Sequence, residues 1–399
     1  MRRLVKPMTV GVLGQAMASF TALTPPVFAV VAASDLGLVP REVGGFTVLL
    51  FLGAMYSAAV GGGLVGRLGA VGTTQICLLF CAVGIALVAS GNLALAALGG
   101  LVVGLGYGPM TPASSHMLAP VTDERNRPFV FSVKQTSVPI GGVLAGLAIP
   151  ALVAVGGWRG AALTVAVLNV ALAVALLPMR GAMDGGGAGK KRVPRTGLGA
   201  VIGLLRRNRR LRQLGIISFA YSAVQLCLGT YLVSYLYEDI LLSFALAGIV
   251  LAVAQGAGIC GRLLWGAIGG RLVPARYVLA GLGIMTAAAS IATAVMAADW
   301  PLAAILIVAA LYGITAIAWN GLFLAEIVRV TARDQSASAT GAALFLTFGG
   351  MAVGPAAFGL VAGAFGYGAA FAAAAVVTLV PGLWLLRAEP STTAAEAAK

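Results

Sequence analysis

The sequence predicts an all-α membrane protein of twelve transmembrane helices in two pseudo-symmetric six-helix bundles. Three observations predict it. Of 399 residues, 60% are hydrophobic and only 10% charged, where a soluble domain carries about 25%, and the mean hydropathy is +1.00. Apolar runs of about 20 residues, the length that crosses a bilayer, recur along the whole chain. The second half also repeats features of the first at a nearly constant offset.

The runs fall at 8–33, 43–66, 72–91, 93–118, 129–154 and 161–179, then at 213–237, 244–268, 277–298, 302–327, 337–363 and 369–387. The first follows Met1-Arg2-Arg3 and is too long for the apolar core of a signal peptide, so it is expected to stay as a span. Thr24-Pro25-Pro26 interrupts it, and prolines in spans free carbonyls that need other partners. The 55 glycines suit helices packed in lipid, where small residues let backbones approach. The expected organisation is a six-helix unit over 1–180, a basic linker over 181–212 and a second six-helix unit over 213–399. Within the linker, residues 198–211 mix apolar and basic side chains, as a helix on an anionic membrane surface does; an ordinary solvated loop is the alternative.

Charge placement sets orientation. With both termini in the cytoplasm, Arg2, Arg3, Lys6, Arg67, Arg125, Arg127, Arg271, Arg276, Arg329, Arg333 and the linker lie inside, and Arg41 and Arg159 lie outside. Trp158 and Trp300 fall at expected outer interfaces. The net charge of +14 is therefore a loop property, and its scatter over short loops excludes a nucleic-acid-binding domain. The four cysteines, Cys77, Cys81, Cys227 and Cys260, all sit in apolar runs, so no disulfide framework, metal or cofactor is expected.

The repeat is visible in two places. Gly62-Gly63-Leu64-Val65-Gly66-Arg67-Leu68 corresponds to Gly266-Ala267-Ile268-Gly269-Gly270-Arg271-Leu272 at an offset of 204, and the Gly141-Gly142/Gly146 spacing returns as Gly349-Gly350/Gly354 at 208. Six plus six spans, cytoplasmic ends and a basic central loop resemble the major facilitator superfamily over nearly the whole chain. Gly62, Leu64, Arg67 and Gly69 match that family's Gly-x-Leu-x-Asp-Arg-x-Gly-Arg loop, with Gly66 in place of Asp and Ala70 in place of the last Arg. The resemblance implies alternating access, with Arg67, Arg262 and Arg271 in the gating regions. It further implies that spans one, four, seven and ten line a cavity, which makes Gln15, Tyr221, Gln225, Trp319 and Asn320 substrate contacts. Gln135 joins them through similarity to sugar porters. Gly104-Leu105-Gly106-Tyr107-Gly108 matches a glycine run of span four, but Gly100 stands where the proton-coupled members carry Arg. Val138-Pro139-Ile140-Gly141-Gly142 matches the drug-antiporter motif only in part.

Charges in hydrocarbon are costly and usually mark function. Lys134, His116, Glu326 and Arg262 are the embedded candidates. Lys134, with Ser114, Ser115 and His116 expected on the same side, would suit a carboxylate; its stem could instead snorkel to the headgroups. His116, the sole histidine, and Glu326 are the proton-coupling candidates. Against those roles stand a structural hydrogen bond for His116 and a helix-neighbour ion pair with Arg329 for Glu326. Embedded cations outnumber the embedded acid, so the expected function is proton-coupled or uncoupled secondary transport of a small organic anion, with a carboxylate as the charged group. The expected setting is a monomer in the inner membrane. Drug or metabolite export is the first alternative. An integral-membrane enzyme would need a metal cluster or a nucleophile–base pair, and none is legible.

Overall fold

The computed structural model describes residues 2–122, 127–184, 203, 206, 208–269, 272–330 and 336–387. Thirteen helices carry them: α1 (Arg2–Ala32), α2 (Gly44–Ala89), α3 (Leu93–Tyr107), α4 (Met110–Leu118), α5 (Arg127–Gln135), α6 (Ser137–Ala175), α7 (Leu177–Asp184), α8 (Arg209–Glu238), α9 (Phe244–Ile268), α10 (Ala275–Ala294), α11 (Leu302–Ala316), α12 (Asn320–Val330) and α13 (Ser336–Arg387). Helices suit these runs because lipid offers the backbone no hydrogen-bond partners, so each segment must satisfy its own. Nine segments among the described residues are long and apolar enough to cross a membrane. Large apolar side chains are bare on their outer faces, with Val155 91% and Leu360 77% exposed, as befits a protein solvated by lipid.

The helices differ from the sequence expectation in two ways. Three expected inter-span loops shrink to a single glycine inside one continuous helix: Gly69 (φ 77°) in α2, Gly157 (φ 66°) in α6 and Gly366 (φ 84°) in α13. Only a residue without Cβ turns the chain so sharply at positive φ. The arms on either side run in opposite directions. In α2, Phe46, Leu50 and Ala54 meet Gly100, Gly104 and Gly108 in ascending order, while Cys77 and Leu87 meet Gly106 and Gly99 in descending order. In α6, Gly141 lies against Ala16 and Phe20; past the turn, Trp158 reaches Asp35 and Asn169 reaches Thr21.

Conversely, three runs read as continuous are broken. The chain leaves the helix between α3 and α4 at Gly108-Pro109, between α5 and α6 at Thr136, and between α11 and α12 at 317–319. At Thr136 the cause is local. Pro139 has no N–H to offer the Gln135 carbonyl four residues back, and the Thr136 hydroxyl donates to the Val133 carbonyl at 2.6 Å.

Helices before residue 185 pack on helices after 203. Gly146 and Gly248 bring α6 and α9 together, and Gly44 of α2 lies against Tyr231 of α8 and the Pro355 carbonyl of α13. Phe51 and Phe348 extend the α2–α13 contact, with centroids 6.1 Å apart. Near the turn at Gly69, the Asp184 carboxylate accepts the backbone N–H groups of Ala70, Val71 and Gly72 at 2.9, 3.2 and 3.0 Å. The expected linker is helical at both margins, in α7 to Asp184 and in α8 from Arg209, where the Asn208 side chain accepts the Leu211 N–H at 3.0 Å. The expected surface helix over 198–211 lies mostly outside the described residues. Trp158 is buried rather than interfacial, donating to Asp35 at 2.9 Å.

Candidate functional site

The three helix breaks meet around a polar centre. Lys134, on the last turn of α5, is 1% exposed. Its ammonium lies 3.5 Å from Oε1 of Gln15 on α1 and 3.5 Å from Oε1 of Gln135. Thr111 of α4 donates to the same Gln15 oxygen at 3.3 Å, and Tyr107, at the end of α3, sits beside Gln15 and Ser19. Gly11 lies between Ser114 and the Lys134 stem. No carboxylate pairs with Lys134 among the described residues. Snorkelling would leave its head in water; the protein covers it instead.

Arg262, 3% exposed on α9, closes this centre from the other side. Its Nε donates to the Ile317 carbonyl at 3.0 Å, in the break between α11 and α12. Its Nη1 donates to the Gln135 carbonyl, the one that Pro139 leaves free. A single guanidinium therefore satisfies carbonyls released by two broken helices, one on each side of the 185–202 stretch. Close by, Gln225 of α8 accepts from Trp319 Nε1 at 2.9 Å and from Asn320 Nδ2 at 3.1 Å. Tyr221 packs edge-on to Trp319 at 6.0 Å but donates its hydroxyl to the Leu279 carbonyl of α10 at 2.8 Å.

The structure thus joins Gln15, Lys134, Gln135 and Arg262 in one cluster, and Gln225, Trp319 and Asn320 in a second two residues from Ile317. Other candidates stand apart. His116 is exposed. Glu326, 7% exposed, is held by Arg329 through two bonds of 2.8 and 2.6 Å. Those bonds raise the Arg329 pKa above its ordinary value, with burial opposing. Arg67 is exposed and makes no hydrogen bond or ion pair among the described residues, and Arg271 lies outside them. No cluster of three or more His, Cys, Asp or Glu side chains that could hold a metal forms among the described residues.

Sequence reasoning missed three features. Asp184 was read as linker. The tie from Arg262 to Gln135 was hidden because its acceptor is a main-chain oxygen, although Pro139 marked that oxygen as free. The third is a latch at the far end of the molecule. Arg41 Nε lies 3.9 Å from Glu238 Oε2 and its guanidinium 5.1 Å from the centre of the Tyr367 ring. Tyr367 donates to Glu238 at 2.7 Å. Burial raises the neighbouring Asp239 carboxyl above the ordinary aspartate range, with Arg41 opposing.

Solved structures share this fold. A variant of the E. coli fucose:proton symporter FucP aligns with a TM-score of 0.66 at 15% identity, over 98% of this chain and 100% of that one. A bacterial homologue of the human lysosomal transporter Spinster, captured inward-facing and occupied, aligns with a TM-score of 0.72 at 14% identity, over 95% of each chain. No curated protein matches the sequence. The sequence itself matches the Major Facilitator Superfamily over residues 10–355. With lipid-facing helices, a polar centre at converging helix breaks and that match over most of its length, the chain belongs to the major facilitator superfamily, a family of membrane transporters and not of enzymes.

Proposed function

We propose that this protein is a secondary active transporter of a small organic anion, with a carboxylate as the charged group, working by alternating access. One observation carries the reading: the Lys134 ammonium is buried with amide oxygens as neighbours and no acid among the described residues. A buried cation without a counter-charge is unfavourable, and a bound anion supplies what is missing. Gln15, Gln135, Gln225, Trp319 and Asn320 would contact the uncharged part of the substrate, and Tyr221 would hold Trp319 in place.

The reading includes twelve spans. The segment Val130–Gly181 has 52 residues and would reach about 78 Å if straight, against a hydrocarbon core of about 30 Å. Dividing Val130–Gly181 at Gly157 and Ala343–Arg387 at Gly366 makes eleven crossings of the nine segments, and the first arm of α2, residues 44–68, counted as a span of its own before the turn at Gly69, makes twelve. Two six-helix units, 1–180 and 213–399, then flank the basic stretch 181–212. In this reading the chain is a monomer in the inner membrane with both termini in the cytoplasm, an orientation that the loop charges support. Arg262 and the loop arginines Arg67 and Arg271 belong to the gate on that side.

Lys134→Gln tests the reading. Carboxylates should raise the melting point of the purified protein, and the variant should lose at least about tenfold in affinity, or about 1.4 kcal/mol. Its ligand-free melting point should hold or rise, because an unpaired buried charge has gone. A response to drug-like cations and none to any acid would favour export, the alternative that the merely partial motif at Val138–Gly142 weakens.

A further inference from the structure

We infer that Arg262 is a second anchor for the transported anion, so that the substrate is a short-chain dicarboxylate rather than a monocarboxylate. The inference rests on the anion-transport reading and specifies its substrate class.

Lys134 and Arg262 converge on one residue. The ammonium faces the side-chain oxygen of Gln135, and the guanidinium takes its main-chain oxygen. Both acceptors of Arg262, the carbonyls of Gln135 and Ile317, are neutral. They satisfy hydrogen bonds and leave the charge uncompensated. A guanidinium has five N–H donors, so donors remain for a ligand. No ion pair among the described residues includes either cation, and Glu326, the buried carboxylate of the described residues, is taken by Arg329.

Two buried positive charges therefore share one place without an acid. A monoanion would compensate one of them; a dianion compensates both. The two seats differ in kind, since a planar guanidinium grips a carboxylate with two parallel bonds and an ammonium binds as a point charge. They stand on opposite sides of a single residue, which places the two acid groups on a short chain. Lys134 and Arg262 come from opposite units of the chain. A ligand that engages both through the remaining donors bridges the two units beside the tie to the Gln135 carbonyl.

The test compares acetate, propionate and butyrate with malonate, succinate and glutarate on the full-length protein, by calorimetry and melting-point shift. Inorganic phosphate serves as a dianion with its charge on one centre. At least one dicarboxylate should bind about tenfold or more tightly than any monocarboxylate. Arg262→Gln should bring that ratio close to one, with monocarboxylate affinity falling less. Arg262→Lys, which keeps the charge without the fork, should retain part of the ratio and stands in where the Gln variant fails to fold. Monocarboxylates binding as tightly as dicarboxylates would overturn the inference and leave anion transport intact. So would a ratio unchanged in Arg262→Gln, or phosphate binding more tightly than every dicarboxylate. No response to any acid would remove the underlying reading.

Discussion

Individual residues divide by where their partners come from. Glu326 is buried and doubly bonded to Arg329, so it exchanges a proton only when that pair opens. His116 is exposed and stands apart from the Lys134 cluster. If transport is proton-coupled, one of the two carries the proton: substrate-driven proton flux should vanish in Glu326→Gln or in His116→Gln while substrate binding persists. Normal flux in both variants would exclude both carriers. Gln15 and Gln225 could be picked out from sequence because each stands alone in an apolar stretch, and Lys134 because a charge within a span is costly. Their grouping could not. Lys134 was expected near His116, yet its neighbours are Gln15 and Gln135. Arg262 shows the limit most clearly: a side chain bonded to a carbonyl leaves no residue-type signal at the acceptor.

At the scale of helices, apolar run length pointed to segments able to cross a membrane, because lipid thickness imposes that length, and nine such segments stand among the described residues. The turns and breaks were less legible. Gly69, Gly157 and Gly366 do the turning; Gly69 stood out through the loop motif, but among 55 glycines Gly157 and Gly366 carry no distinguishing mark. The α5–α6 break had a visible cause in Pro139, whereas Ile317-Ala318-Trp319 contains no helix-breaking residue and reads as continuous. Asp184 shows how one side chain from a separate element completes a turn. It takes three N–H groups at the start of the second arm of α2, where a helix leaves donors unpaired and favours negative charge. Asp184→Ala should cost about 1–2 kcal/mol, the usual range for losing such a cap, read as a lower melting point in detergent. Asp184→Asn should recover most of it, since an amide oxygen caps nearly as well. An unchanged melting point in the Ala variant would mean that water replaces the carboxylate without loss.

Across the whole molecule, the helices before residue 185 and those after 203 are tied by polar side chains at two levels, beside the close packing of α6 on α9 and of α2 on α13. Arg262 ties them at the helix breaks, and the cluster of Arg41, Glu238 and Tyr367 ties them at the other end. In the proposed alternating-access cycle, each of these fastenings would release in turn. The Arg41–Glu238 pair is partly exposed and long at 3.9 Å, and such pairs contribute at most about 1 kcal/mol. Glu238→Gln should therefore quicken amide exchange a few-fold at residues 231–243 and 355–367, leaving exchange around Thr136 unchanged. Equal effects at both sites would mean that the two ties open as one unit. The single-glycine reversals have a further consequence, for anything that must grip this protein from outside. A chain that turns within one residue offers almost no epitope at Gly157 or Gly366. In the proposed orientation, antibodies raised against the outer face would recognise instead the connections at 33–43, 90–92, 239–243 and 295–301, the first of which carries half of the Arg41 latch.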